Sequence, residues 1–146
     1  MQTFLPYPEF GESMAVLDNV RLGNQVYREG LTLLGGGWPN HPASKMWKGY
    51  ECSLSHYCLR GVQEMANRDY WKPEVVVRWH VYFQEQIDAH PDNGDPPWLG
   101  DDKIHASHRS NLLRKDPVHY GQYGWTESDD MPYVWPTDSN YELVQV

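Results

Sequence analysis

The stretch Leu17-Asp-Asn-Val-Arg-Leu-Gly-Asn-Gln-Val-Tyr-Arg-Glu-Gly-Leu-Thr-Leu-Leu34 repeats apolar residues at helical spacing and sets the fold class. Leu17, Val20, Asn24, Tyr27, Leu31 and Leu34 recur at steps of three and four, the spacing of one face of an α-helix. The opposite face carries Asp18, Arg21, Gln25, Glu29 and Thr32, with Arg28 beside it. Gln25 and Glu29 are four apart and Arg21 lies eight before Glu29, so these side chains stack on successive turns. One side is apolar enough to pack, and the other lines up a carboxylate, Glu29, with two guanidiniums. Taken alone, this pattern also fits an ordinary surface helix with polar pairs one turn apart.

Working outward, Ser13 is the expected N-cap of this first helix, and Gly35-Gly36-Gly37 ends it. No strand precedes the glycines and no Gly-Lys-Ser/Thr follows, which argues against a phosphate loop. Upstream, Pro6 and Pro8 keep residues 1–12 extended. Downstream, Asn40 or His41 caps a second helix with Pro42 in its first turn. Trp47, Tyr50, Leu54, Tyr57, Gly61 and Met65 then hold the three-four step to about Asn67. Lys45 and Lys48, beside Trp38 and Trp47, suit phosphate contact and base stacking, or simply a solvated face over an aromatic core. Pro73 opens a third helix, with Val76, Trp79 or His80, Phe83 and Ile87 inward, and His90-Pro91 stops it. Turn residues fill 91–102, and a short fourth helix spans about Lys103 to Lys115. The only β-branched run is Val75-Val76-Val77. The expectation is an all-α, compact single domain over 1–146: three long helices, a short fourth, and long irregular loops.

The chain carries a formal net charge of −8, which argues against a protein that grips nucleic acid by bulk charge. The distribution weakens that argument. Segment 117–146 is aromatic and acidic, holding Glu127, Asp129, Asp130, Asp138 and Glu142 and no Lys or Arg. The body before it is nearly balanced and leaves room for a local basic face. No apolar run is long enough to span a membrane, and the N-terminus lacks a secretory pattern, so a cytoplasmic protein is expected. Cys52 and Cys58, six apart on a helix, fit two reduced thiols. His105 and His108 are three apart, but no second pair stands at zinc-site spacing, so no metal is expected.

These motifs resemble the pyrimidine dimer DNA glycosylase/AP-lyase family (endonuclease V-like), in a bacterial and phage branch. Tyr27-Arg28-Glu29 matches the family's Tyr-Arg-Glu, and Asn40-His41-Pro42 matches the start of its second long helix. The segment from Ser107 to Lys115, with Pro117 and the run His119-Tyr120-Gly121-Gln122-Tyr123-Gly124, resembles its C-terminal DNA-contacting helix and aromatic tail. The resemblance implies a monomeric, all-α enzyme that needs no cofactor. Its partner is double-stranded DNA with a damaged or modified base, and it flips a nucleotide out of the duplex. It further implies that the N-terminal α-amine attacks the sugar and that Glu29 is the catalytic acid. Free α-amines titrate near 7.7–8.0 against about 10.4 for lysine, so a useful fraction is neutral near pH 7. Gln2 is too large for ordinary Met removal, so the amine is that of Met1. Arg21 and Arg28 would hold flanking phosphates and keep Glu29 ionised. The DNA-binding set implied is completed by Gln25, His41, Lys45, Lys48, His108, Arg109, Arg114 and Lys115, with Tyr120, Tyr123 and Trp125 to stack or wedge bases. Two alternatives stay open: a non-enzymatic damage-recognition module on the same fold, and an unrelated helical enzyme using the histidines and a metal.

Overall fold

A computed structural model describes residues 1–137 and 143–145. Helix α1 spans Phe10–Val16, α2 Asn19–Asn24, and a π-helical turn Gln25–Gly30 leads into α3, Leu31–Leu34. Then come α4 (Pro42–Trp47), α5 (Glu51–Arg68), α6 (Pro73–Ala89), α7 (Asp102–Lys115) and α8 (Pro117–Tyr120). A small ribbon closes the described chain, β1 (Val134–Pro136) antiparallel to β2 (Leu143–Gln145). The fold is all-α apart from this ribbon, as expected. The Val75-Val76-Val77 run is helical, at the start of α6.

The first two long helices are more broken than their periodicity implied, for identifiable reasons, while the third, α6, is continuous. Ser13 does not cap the first helix. Glu9 does, its carboxylate accepting the Glu12 N–H, while the Ser13 hydroxyl bonds the Tyr7 carbonyl at 2.8 Å. Leu17 and Asp18 are both extended (ψ 138° and 159°), and Asp18 caps a new helix. Two extended residues reset the helical phase, so the buried line runs Leu22, Val26 and Gly30. Val20, Tyr27 and Leu31, expected inward, are exposed. The presumed polar face is therefore the one turned toward the rest of the molecule, with Gln25 buried and Glu29 largely so. The second helix also breaks, into α4 and α5, at Gly49, whose φ of +86° a side chain would resist.

The core is built on α5, which buries Leu54, Tyr57, Val62 and Met65 and packs along α6. Of the inward candidates on α6, Phe83 is fully buried, Trp79 packs against the core and His80 is exposed. Trp47 and Trp98 meet edge to face at 5.0 Å under α4, and the Trp98 indole N–H donates to the Met46 carbonyl at 2.7 Å. The π turn meets α5 through Gly30, where an added Cβ would lie 2.4 Å from Cys58 Sγ and 2.9 Å from the Gln25 carbonyl oxygen. Gly30→Ala should therefore cost about 1–3 kcal/mol despite alanine's higher helix propensity. Urea denaturation checks this, and a variant as stable as wild type would mean the two elements are not in tight contact.

Residues 126–136 fold back over α7. Ser110 Oγ donates to the Ser128 carbonyl at 2.5 Å, and the Val134 N–H donates to Ser107 Oγ at 3.1 Å. Of the acids expected in this segment, Asp138 and Glu142 lie outside the described residues.

Candidate active site

Residues 2–5 form a buried strap, fixed by side chains from distant parts of the chain. Thr3 Oγ1 accepts the Trp47 indole N–H at 3.0 Å. The Phe4 N–H donates to Gln25 Oε1 at 3.0 Å, and the Tyr57 hydroxyl lies 2.7 Å from the Phe4 carbonyl and 2.9 Å from the same Gln25 oxygen. Leu5 is held from both sides by α7. Its N–H donates to His108 Nδ1 at 2.9 Å, and its carbonyl lies 2.7 Å from His105 Nδ1. The Gly100 N–H donates to His105 Nε2 at 3.0 Å, so the His105 proton sits on Nδ1, facing Leu5. These contacts leave Met1, partly exposed, at the end of a short fixed tether.

Burial, reinforced by the charge of nearby groups, lowers the His108 pKa to about 3. Protonation would also turn Nδ1 into a donor facing the Leu5 N–H. With a folded pKa far below the usual 6.5, the unfolded chain binds the extra proton between these values, so stability rises with pH there. The stabilisation is complete above about pH 6.5 and is lost progressively toward pH 3, on the order of 4 kcal/mol in all. Chemical denaturation across this range, compared with His108→Asn, tests it. Equal pH slopes in both proteins would exclude His108 as the cause.

Met1 and Glu29 together line two adjoining clefts of about 260 Å³ each. Arg28, Thr32, Trp38 and His41 complete the first. Gln2, Phe4, Arg21, Asn24, Gln25, Lys115 and Tyr133 complete the second. The Glu29 side chain is only 13% exposed, and Arg28 Nε lies 3.7 Å from its carboxylate. The His41 pKa is lowered by burial and then by the positive Met1 α-amine. The Lys115 pKa is lowered by burial and then by Arg21 and Arg114, which marks a concentration of cations at the second cleft. A protein of net charge −8 thus rings this hollow with Arg21, Arg28 and Lys115. Met1 and Glu29, which line the same space, carry a primary amine and a carboxylate, the groups that imine chemistry requires.

Several residues expected at the DNA surface lie elsewhere. Gln25 and His108 are buried and hold the strap. Tyr120 is buried, with its hydroxyl hydrogen-bonded to Asp18. That bond helps keep Asp18 ionised: burial would raise its pKa, but the bonds from Tyr120 and Arg21 outweigh it. Arg21 in turn contacts Asp18 at 3.1 Å. Arg109 is committed to Glu127 at 2.7 Å, to Asp102 at 3.0 Å and to the Pro6 carbonyl at 2.8 Å. Arg114 bonds Asn111 and the Asp129 carbonyl. Trp125 stacks on Tyr120 and gives its indole N–H to the Tyr7 hydroxyl, with Tyr123 packed alongside, so this run seals α8 onto the body. Trp47 is core. Lys45 is exposed, and Lys48 lines a separate cleft with Leu33, Gly37 and Ser44. Thr32 was expected on the face of Glu29 but, like Asn24, was not named as a site residue, although each lies four residues from Arg28 and so one turn away. Tyr133 carries no comparable signal.

Residues 1–75 match the model of a family described as pyrimidine dimer DNA glycosylase. The chain belongs to that family. The span matched to the glycosylase family holds Met1, Arg21, Arg28, Glu29 and His41, whereas Lys115 and Tyr133 reach the clefts from beyond it. Neither the curated proteins nor the solved structures searched give a match. Among the described residues, no helix is long and apolar enough to cross a membrane.

Proposed function

We propose that this protein is a DNA glycosylase with AP-lyase activity, acting on a damaged or modified base in duplex DNA. The family's description suggests the pyrimidine dimer as the lesion. The observation that carries the reading is the pairing of Met1 with Glu29 across both clefts, inside a ring of cations.

In this mechanism the neutral Met1 amine attacks C1′ of the deoxyribose. The N-glycosidic bond breaks and the base leaves with its electron pair, taking up a proton. The nitrogen gives up a proton, its lone pair forms the C=N bond as the C1′–O4′ bond breaks, and O4′ takes up a proton to become a hydroxyl, leaving a protonated imine. Glu29 stabilises that cation and accepts the C2′ proton, and the electrons released expel the 3′ phosphate. Water hydrolyses the imine and restores the amine. Arg21 and Lys115 on one side and Arg28 on the other hold the flanking phosphates, so the sugar faces both reacting groups. Positioning falls to Gln25, Tyr57, His105 and His108, which fix the strap rather than touch DNA.

The test is borohydride reduction in the presence of duplex DNA containing an abasic site or a pyrimidine dimer. The expected result is a stable protein–DNA adduct, and its absence with both substrates would overturn the reading.

A further inference from the structure

The chain has seven tryptophans, and six of them belong to the core or pack against it. Trp38 is the exception. It is 68% exposed, and no ring contact or core packing involves it among the described residues. Its backbone is also unusual, with φ at +55°, a region that bulky side chains rarely adopt. The conformation is fixed on both sides. The Gly37 carbonyl accepts Ser44 Oγ at 3.2 Å, and the Trp38 carbonyl accepts the His41 N–H at 3.0 Å. The preceding glycines turn back on α3, the Gly37 N–H reaching the Thr32 carbonyl at 3.0 Å. A large apolar ring is thus held out toward solvent by a braced loop, at the rim of the cleft that Met1, Arg28 and Glu29 also line.

We propose that Trp38 is a base-stacking residue: its indole covers a nucleobase face laid bare beside the lesion when the nucleotide is extruded. The proposal rests on the DNA-glycosylase reading above. An intact duplex offers no free base face next to the reacting sugar, whereas an opened site does, so Trp38 favours damaged over undamaged DNA. Bracing the loop in advance means that little ordering is left for binding to supply. The stacking needs a π face but no particular base, and phenylalanine would retain part of it.

The experiment uses the full chain and two duplexes, one undamaged and one carrying a tetrahydrofuran abasic analogue that cannot form an imine. Trp38→Ala should weaken binding to the analogue by about 10- to 100-fold and leave the undamaged duplex little changed. Trp38→Phe should recover much of the loss. Tryptophan emission of the wild type should be quenched by the analogue duplex, and the quench should vanish in Trp38→Phe, a change that a merely structural role would not produce. Unchanged melting temperatures in both variants tie the effect to binding. Equal affinity of Trp38→Ala and wild type for the analogue would overturn the proposal while leaving borohydride trapping, and the function it tests, intact. A wild type that neither traps nor prefers the analogue would remove both.

Discussion

Glu29→Gln is expected to abolish most strand cleavage at an abasic site, lowering the rate by about 10²–10⁴-fold, or roughly 3–5 kcal/mol of barrier. The substitution keeps the shape and the hydrogen-bonding reach of the side chain but removes its charge and its ability to take a proton. Both losses fall on one step, because the carboxylate balances the imine cation and receives the C2′ hydrogen. Folding should hardly change, since the only ion pair Glu29 makes, among the described residues, is at 3.7 Å to an Arg28 side chain that is 71% exposed. DNA binding should hold or tighten, because one negative charge leaves a cleft ringed by Arg21, Arg28 and Lys115. Single-turnover cleavage with parallel binding curves separates the two effects. A Glu29→Gln protein that cleaves as fast as wild type would leave a damage-recognition module, or a different base, as the better account.

Blocking the α-amine should be as severe. Acetylation makes the Met1 nitrogen an amide whose lone pair is delocalised, so the borohydride adduct and strand cleavage should fall to background. Adding one residue before Met1 should act similarly while keeping an amine. It displaces the nucleophile by up to about 3.5 Å from a tether that Leu5, Phe4 and Thr3 hold fixed, and a misplacement of about 1 Å can already cost 10²-fold. Peptide mapping of the trapped adduct identifies the attacking nitrogen. An adduct that survives acetylation would point to Lys115, which lines the second cleft and whose pKa is lowered by burial and by its cationic neighbours.

How much of this could be read from the residues follows from the range of the interactions involved. Tyr27-Arg28-Glu29 is local, and it placed the carboxylate and its arginine correctly on a helix. The face was misassigned because strict 3.6-residue phasing cannot anticipate two extended residues at Leu17 and Asp18 or a π turn over Gln25–Gly30. Arg109 and Arg114 on α7, expected at the DNA surface, are tied to protein partners for a different reason. Arg109 looks free in sequence, but Glu127 and Pro6 reach it from 18 and 103 positions away. The histidine pair on α7 read as a weak metal signal. In the fold their nitrogens serve the backbone of Leu5, 100 and 103 positions away, a pairing that no local pattern encodes. Trp38 and Trp47 look alike in sequence, yet one is in solvent and the other in the core.

The clasp on Leu5 bears on when this protein becomes competent during synthesis. Met1 carries the proposed nucleophile, yet the imidazoles that seat its tether are residues 105 and 108. They also lie past residue 75, where the family match ends. A nascent chain stalled after α5 would contain Met1 and Glu29 but nothing from α7 to anchor the leading segment between them. Reactivity toward DNA should therefore arrive late in translation, all at once, when α7 has emerged and closed over the start of its own chain.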